Sequence, residues 1–197
     1  MPASPHDLIT WLLPASPQEA IRYLLTTLGE DPDREGLVDT PNRVIKSYQH
    51  LFSGYNKDPR KLVTIFKSET YDQMVSLINI EMYSFCEHHM LPFVGRCHIA
   101  YIVGEGLLGI SKLARLMEVY SRRLQIQERL TDQITEALMD IVKPKGAGCM
   151  IEAKHFCMLS RGVEKQNSVM VTSSLKGCFK DPGVKDEFFR VIQLSRS

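Results

Sequence analysis

Two segments of this chain, at positions 74–85 and 94–103, are rich in β-branched and aromatic residues, and together they restrict the fold to one that contains a β-hairpin. Residues of these types are enriched in strands. The short link between the segments carries Cys86, His88 and His89. The pattern therefore predicts two strands joined by a loop that presents a thiol and two imidazoles.

Helical patterns lie on both sides of this hairpin. Ser16 followed by Pro17 predicts the start of one helix, and Thr40 followed by Pro41 predicts the start of a second that ends near Gly54. This order of elements indicates an α+β fold with an antiparallel sheet and paired helices after an N-terminal helical extension. The remaining apolar patterns predict, in chain order, a helix from Ser111, a helix at about 125–142, strands at about 149–159 and 168–175, and a helix at about 185–194.

The composition limits the classes of partner. Hydrophobic residues make up 44% of the 197 residues and charged residues 24%, as in an ordinary globular protein. The 24 basic and 23 acidic residues give a net charge of +1, which argues against a nucleic-acid binder with a broad basic face. An anionic ligand must therefore be held by a local cluster of cations.

The N-terminal segment and the cysteines indicate a cellular compartment. Residues 1–17 form a poor signal peptide, because Asp7 interrupts the apolar stretch and no basic segment precedes it. No apolar run reaches the roughly 18 residues of a membrane span. The five cysteines are an odd number in a chain too large to need disulfides. We expect a cytoplasmic protein without a membrane partner, with its cysteines free or bound to metal.

A metal site is suggested by two pairs of residues. Cys86 and His89 are three positions apart in the hairpin loop, a spacing that lets both side chains reach one zinc ion, although such a pair alone is more often structural. In the predicted strand at 149–159, the period of two places His155 and Cys157 on one face. Cys157 then supplies a third ligand with an imidazole beside it.

The number of ligands indicates the type of site. Cys86, His89 and Cys157 make three, whereas a closed structural zinc site needs four, so an open position remains for water. His88 and His155 become candidates for general acid and base, although each alone could be an ordinary surface or core histidine. His98 fits a core histidine best. The other cysteines are interpreted as small buried residues that could in principle supply a fourth ligand: Cys97, Cys149 and Cys178.

These residues belong to five separated motifs that together resemble GTP cyclohydrolase I. The similarity extends over roughly Ile21 to Phe189, with the motifs in the family's order. Five such motifs make accidental agreement implausible. They are GEDPDREGL at 29–37 with TPNRV at 40–44, CEHHMLPF at 86–93, GISKLAR at 109–115, QIQERL at 125–130 and HFC at 155–157.

The resemblance implies a fold, an assembly and a reaction. The fold is the tunnelling fold, here a catalytic domain at 61–197 after an N-terminal helical region at 1–60. The assembly is a homodecamer of two pentamers with active sites between subunits. The reaction is the hydrolytic opening of the GTP imidazole ring at C8, release of formate and rearrangement to 7,8-dihydroneopterin triphosphate, the first step of tetrahydrofolate and other pterin biosynthesis.

The resemblance also assigns roles to individual residues. It implies one zinc ion per subunit on Cys86, His89 and Cys157, and proton transfer by His88 and His155. Glu128, with Gln127 beside it, accepts hydrogen bonds from the guanine, since a carboxylate is an acceptor for the donors of that base. The alternative for Gln127 and Glu128 is a solvated helix turn.

Five cations and a serine are assigned to the ribose and triphosphate. Ser111 is placed near the ribose or phosphates, although it could also be a plain helix N-cap. Arg43 and Lys46 are three apart on one helix, as are Lys112 and Arg115 on another, so each pair projects to one face. The resemblance places these four at the phosphates together with Arg161, Arg43 and Lys46 coming from a neighbouring subunit. Ordinary solvated surface charges are the alternative.

Two departures and two rival functions complete the sequence-based picture. Leu124 stands where members of the family commonly have proline, which predicts a looser guanine-binding turn, and Lys154 stands where an acidic residue is frequent. One rival is a zinc-stabilised scaffold protein, which requires a fourth ligand. The other is a reductase of the same fold that acts on a nitrile-bearing deazapurine, which uses a nucleophilic cysteine and no zinc triad.

Overall fold

A computed structural model describes residues 16–66 and 71–194. These residues fall into two compact units, one ending at Leu51 and the other beginning at Phe52. The expectation about a signal peptide concerns positions that lie almost entirely outside the described residues. In the described part of the chain, every helix is too short or too polar to cross a lipid bilayer.

The first unit consists of two helices whose starts follow the sequence signals. Helix α1 covers Pro17–Thr27 and helix α2 covers Thr40–Leu51, and the two pack against each other. The hydroxyl of Ser16 accepts a hydrogen bond from the Glu19 N–H at 3.2 Å, which satisfies one free amide of α1. The α2 helix ends before Gly54, which lies in a short 3-10 turn at Ser53–Asn56.

The second unit contains a five-stranded sheet of order β5-β2-β3-β6-β7. Strands β2, β3, β6 and β7 are antiparallel neighbours, as predicted, and β5 adds a short parallel pairing to the end of β2. A separate two-stranded sheet pairs β1 with β4. The strands are β1 Ile65–Phe66, β2 Met74–Cys86, β3 Pro92–Ile102, β4 Leu107–Leu108, β5 Leu124–Gln125, β6 Gly146–His155 and β7 Met170–Gly177.

Helices cover both faces of the large sheet. The helices of this unit are α3 Ile110–Ser121, α4 Gln127–Ile141, the single turn α5 Phe156–Leu159 and α6 Pro182–Leu194. The apolar sides of α3 and α4 bury the main core with β2, β3 and β6. Phe188 and Ile192 of α6 form a second cluster with Ala100 and Met150, whose strand neighbours Ile99 and Ile151 face the first core.

Three boundaries differ from the sequence-based expectation. The strand expected at 149–159 ends at His155, and residues 156–159 form α5 instead. Pairing stops there because β3 begins at Pro92 and its last pair with β6 is Phe93 with His155. Ser111 is not an N-cap, since α3 begins at Ile110 and Gly109 occupies the cap position. Leu124 lies in β5 rather than at the start of α4.

Candidate metal centre and active site

Three potential metal ligands meet at one end of the sheet. The ligand atoms of Cys86, His89 and Cys157 all lie within 4.8 Å of one another. Cys86 ends β2, and His89 lies in the tight turn that leads to β3. This turn is closed by two backbone hydrogen bonds, from Met90 N–H to the Cys86 carbonyl at 2.8 Å and from Cys86 N–H to the Leu91 carbonyl at 2.9 Å.

Cys157 reaches this cluster by a route that the sequence pattern did not predict. The assignment of His155 and Cys157 to one face of a continuous strand is wrong, because β6 ends at His155. Cys157 instead lies in the helical turn α5, which the Ser160 N–H closes by donating to the Phe156 carbonyl at 3.0 Å. The chain therefore brings the third ligand to Cys86 and His89 by turning away from the sheet.

The donor set suits a soft or borderline divalent metal. Two sulfur atoms and one imidazole nitrogen are the ligands that zinc takes in proteins. Burial, and after it the neighbouring thiol of Cys86, raises the pKa of Cys157, so a cation is needed to favour its thiolate. Among residues 16–66 and 71–194, no fourth histidine, cysteine or acidic residue joins the three. The chain thus has a possible Cys/His/Cys metal site.

The remaining cysteines lie elsewhere. Cys97 and Cys149 are fully buried, as expected, with their sulfur atoms 3.6 Å apart. Burial raises the pKa of Cys149 well above its usual range. Cys178 is only half-buried, which differs from the expectation, and it begins the 3-10 turn at Cys178–Lys180. None of the three belongs to the cluster.

His155 stands beside the cluster in a fixed orientation. Its ring stacks on Phe93, with the ring centroids 4.5 Å apart and the planes 5° from parallel. Its Nε2 lies 2.8 Å from Gln127 Oε1. Burial lowers the pKa of His155, and the negative charge of Glu128 partly opposes this effect. The imidazole is therefore biased towards its neutral form.

The Gln127 amide determines which nitrogen of His155 carries the proton. Gln127 is 1% exposed, and its Nε2 lies 3.0 to 3.1 Å from three acceptors, the carbonyls of Ile151 and Met170 and the Thr172 hydroxyl. Because the Nε2 end donates to these groups, the Oε1 end must accept from His155. His155 therefore donates through Nε2–H and keeps the lone pair on Nδ1. A solvated helix turn is thus the wrong description of Gln127, although Glu128 beside it is exposed.

His88 has a more open setting. Its side chain is 64% exposed, and its Nδ1 lies 3.8 Å from Cys86 Sγ. Its Nε2 is 4.0 Å from the Glu87 carboxylate. A hydrogen bond from Arg129 to Glu87 lowers the pKa of that carboxyl group. Because most of its side chain is exposed, His88 can reach solvent while remaining next to Cys86, a candidate ligand.

The predicted cations occupy three places. Arg161 lies at the cluster, because its Nη1 donates to His89 Nε2 at 3.0 Å and to the Cys157 carbonyl at 3.5 Å. Lys112 and Arg115 lie in the first and second turns of α3. In the described ranges, no hydrogen bond or ion pair joins Lys112, Arg115 or the exposed Ser111 to the cluster. Arg43 and Lys46 are exposed on α2 in the first unit, and Arg43 pairs with Asp39 at 3.4 Å.

Comparison with known proteins identifies the family. The family model of GTP cyclohydrolase I matches residues 17–193. The chain belongs to this family. The GTP cyclohydrolase 1 of Wolinella succinogenes is 55% identical over 174 residues, which cover 87% of this chain and 93% of that protein. The GTP cyclohydrolase 1 of Leptospira biflexa is 55% identical over 173 residues, which cover 86% and 94%.

The fold agrees with GTP cyclohydrolase I membership. The antiparallel sheet with α3 and α4 packed on one face is the tunnelling fold that the motifs implied. A crystal structure of the archaeosine synthase QueF-Like in the apo form overlaps with 55% of this chain and 97% of its own, at a TM-score of 0.46 and 15% identity.

Two sets of contacts in this member of the GTP cyclohydrolase I family were not predicted from the sequence. The Leu124 N–H donates to the Tyr55 hydroxyl at 3.0 Å, a bond that proline could not make, so leucine does not simply loosen this segment. His98 is a fully buried core histidine, as expected, and its ring nitrogens contact polar groups. Its Nδ1 accepts from the Asn79 N–H at 3.3 Å, and its Nε2 lies 3.1 Å from Glu152 Oε1.

Proposed function

We propose that this chain is a zinc-dependent GTP cyclohydrolase I, which hydrolyses GTP at C8, releases formate and forms 7,8-dihydroneopterin triphosphate. The observation that carries this proposal is a three-residue Cys/His/Cys cluster next to His155, a half-buried and oriented imidazole. Family membership makes the chain an enzyme of this class. The product is the first intermediate of tetrahydrofolate and other pterin biosynthesis, in the cytoplasm.

The metal would be held by Cys86, His89 and Cys157, with one zinc ion per subunit. A bound zinc ion supplies a Lewis acid that lowers the pKa of water towards neutral pH and so provides the hydrolytic nucleophile. The raised pKa of the Cys157 thiol means that this residue loses a proton when it becomes a ligand. Arg161 keeps a permanent positive charge next to His89.

His155 and His88 would move protons between the substrate and water. His155 offers a lone pair at Nδ1, since Nε2–H is committed to Gln127. Its lowered pKa keeps that lone pair free near neutral pH, as a general base requires. His88 is largely exposed, so it can exchange protons with solvent. Glu128 would accept hydrogen bonds from the guanine, with the buried Gln127 fixing the turn beside it.

The direct test is to incubate the purified protein with GTP and measure formate and, after oxidation, pterin fluorescence. We expect equimolar formate and pterin, and we expect both to disappear when a chelator removes the metal. Metal-edge spectroscopy on the same sample should show zinc with two sulfur ligands and one imidazole ligand. Stoichiometric zinc with four protein ligands and no turnover would favour a scaffold protein instead.

The triphosphate would be bound by a local cluster of Lys112, Arg115 and Arg161, with Arg43 and Lys46 reaching in from a neighbouring subunit. Arg161 is the member that lies at the metal ligands. Lys112 lies in the first turn of α3, where free amides and the helix dipole favour phosphate. Ser111, exposed in the same turn, would assist at the ribose or phosphates.

Arg161→Ala and Lys112→Ala are therefore expected to weaken GTP binding by roughly 1.5 to 3 kcal/mol each, the value of a charged hydrogen bond. Guanosine binding should change far less, and zinc content should stay at the wild-type level. Isothermal titration of both ligands with each variant measures the difference. Lys180→Ala, an exposed lysine in the turn Cys178–Lys180, is the matched control. Equal GTP affinity in the wild type and both variants would place the phosphates elsewhere.

The active form would be a high-order homo-oligomer, a decamer with active sites between subunits. Both edges of the sheet support this proposal: within residues 16–66 and 71–194, β7 has a neighbour only on its β6 side, and β5 pairs with β2 only at Phe85 and Cys86. Edges of this length usually pair or are covered. We expect light scattering on active protein to give about ten chains per particle, and a competent monomer would contradict shared sites. Residues 61–197 would carry catalysis and residues 1–60 the helical extension.

A further inference from the structure

A polar network connects the first turn of α4 with the turn that carries Cys86 and His89. At its centre is Arg129, to which the proposed mechanism gives no role. Its Nη2 donates to the Glu87 carboxylate in a close ion pair, and its Nε donates to Gln125 Oε1 at 3.1 Å. One guanidinium group therefore contacts both β5 and the turn next to Cys86.

Gln125 gives Arg129 a rigid anchor. Its side chain is 2% exposed, and its Nε2 donates to the Tyr120 carbonyl at 3.0 Å and to Gln133 Oε1 at 2.8 Å. These two bonds orient Oε1 towards Arg129. The backbone carbonyl of the same residue accepts from the Glu87 N–H at 3.0 Å. A buried amide with all these partners is held firmly in place.

Glu87 connects Arg129 to the candidate metal ligands, because in the sequence it follows Cys86 and precedes His88 and His89. Its Oε2 receives the Arg129 bond, while its Oε1 lies 4.0 Å from His88 Nε2. Arg129 directly follows Glu128 at the start of α4. We propose that Arg129 is a positioning residue that keeps the Cys86–His89 turn in register with the first turn of α4. The reaction it serves is the proposed one, so this inference rests on the proposed function.

The exposure of the Arg129–Glu87 ion pair separates a positioning role from a contribution to folding stability. The Arg129 side chain is 41% exposed and that of Glu87 is 32% exposed, and ion pairs this open contribute little to folding. Loss of Arg129 should therefore appear in kcat rather than in the melting temperature. Lysine can replace the charge but not the planar fork that joins Glu87 to Gln125.

The experiment compares Arg129→Met, Arg129→Lys and Glu87→Gln with Arg60→Met in the full chain. Arg60 is the matched control, because it makes an exposed ion pair at 2.6 Å with Asp140, at the opposite end of the same helix. Arg129→Met should lower kcat about 10- to 100-fold, the usual effect of losing a residue that orients metal ligands. KM for GTP, zinc content and melting temperature should match the control, and Arg129→Lys should recover part of kcat.

A second readout does not depend on turnover. In protein loaded with Co²⁺, the visible absorption bands should shift in Arg129→Met and Glu87→Gln but not in Arg60→Met. The double variant Arg129→Met/Glu87→Gln should be no slower than Arg129→Met alone, since both changes break one link. If Arg129→Met does not fold, Glu87→Gln and Arg129→Lys decide the matter by the same measures.

Three results would overturn the inference: equal kcat in Arg129→Met and Arg60→Met, loss of zinc or a lower melting temperature than the control in variants that fold, or multiplicative losses in the double variant. Failure of the proposed function looks different. In that case the wild type itself releases no formate from GTP, and the Co²⁺ spectra still report on the network.

Discussion

Serine in place of Cys157 is expected to remove the bound metal and formate release together. The reason is that the described residues offer only three ligands within 4.8 Å of one another. A serine hydroxyl stays protonated near neutral pH and is a poor substitute for a thiolate on zinc. The two remaining ligands, Cys86 and His89, are too few to hold zinc, so the hydrolysis that depends on the metal is lost as well. Metal analysis and the formate assay on the same sample measure both losses.

The matched control for this loss is Cys178→Ser. Cys178 is also half-buried, but it lies outside the cluster, so the same change of sulfur to oxygen should leave zinc and turnover intact. Cys86→Ser should behave as Cys157→Ser does. A Cys157→Ser protein that keeps stoichiometric zinc would show that Cys157 is not a ligand, whatever its activity.

The fold could be predicted to a large extent because its signals are local. The two long strands were expected at 74–85 and 94–103 and lie at Met74–Cys86 and Pro92–Ile102. Helix starts followed from capping residues and prolines, as at Pro17. The family resemblance, now confirmed, supplied the tunnelling fold, which no local pattern specifies.

The site could be predicted where it depends on spacing along the sequence. The prediction failed where the structure depends on a partner that is distant in the sequence. Cys86 and His89 share one turn, so their separation in sequence already limits their distance. The end of β6 does not follow from its own residues, because the alternation of 151, 153, 155 and 157 continues past His155. Its end is set by β3, where only Pro92 lies beyond the last pair, Phe93 with His155, and proline has no N–H to donate.

The interactions of Gln127 show the same limit. The four hydrogen-bond partners of its side-chain amide lie 24 to 45 positions away, on β6 and β7. One signal was present, since Gln127 shares the buried stripe of α4 with Thr131, Ile134 and Leu138. That stripe predicts burial of the glutamine. It does not identify His155 as its partner.

His155 offers the sharpest test of proton transfer, since its orientation is set by Phe93 and Gln127, which are not among the three candidate ligands. Phe93 holds one ring face and Gln127 holds Nε2, so replacing the imidazole should leave the cluster of Cys86, His89 and Cys157 intact. Glutamine at this position keeps a donor for Gln127 but has no basic nitrogen. Alanine keeps neither.

We therefore expect His155→Ala and His155→Gln to retain zinc and to lose about 10²- to 10⁴-fold in kcat, the range for a general acid or base. Both variants should lose nearly the same amount of kcat, because neither has a basic nitrogen. If His155 had only a packing role, glutamine would restore part of the lost kcat. His50→Ala, an exposed histidine in the last turn of α2, should match the wild type in both measures. Metal analysis and single-turnover formate release decide between the alternatives. If His155→Ala sheds zinc as readily as Cys157→Ser does, His155 is itself a ligand, and the lone pair on Nδ1 belongs to the metal rather than to the substrate.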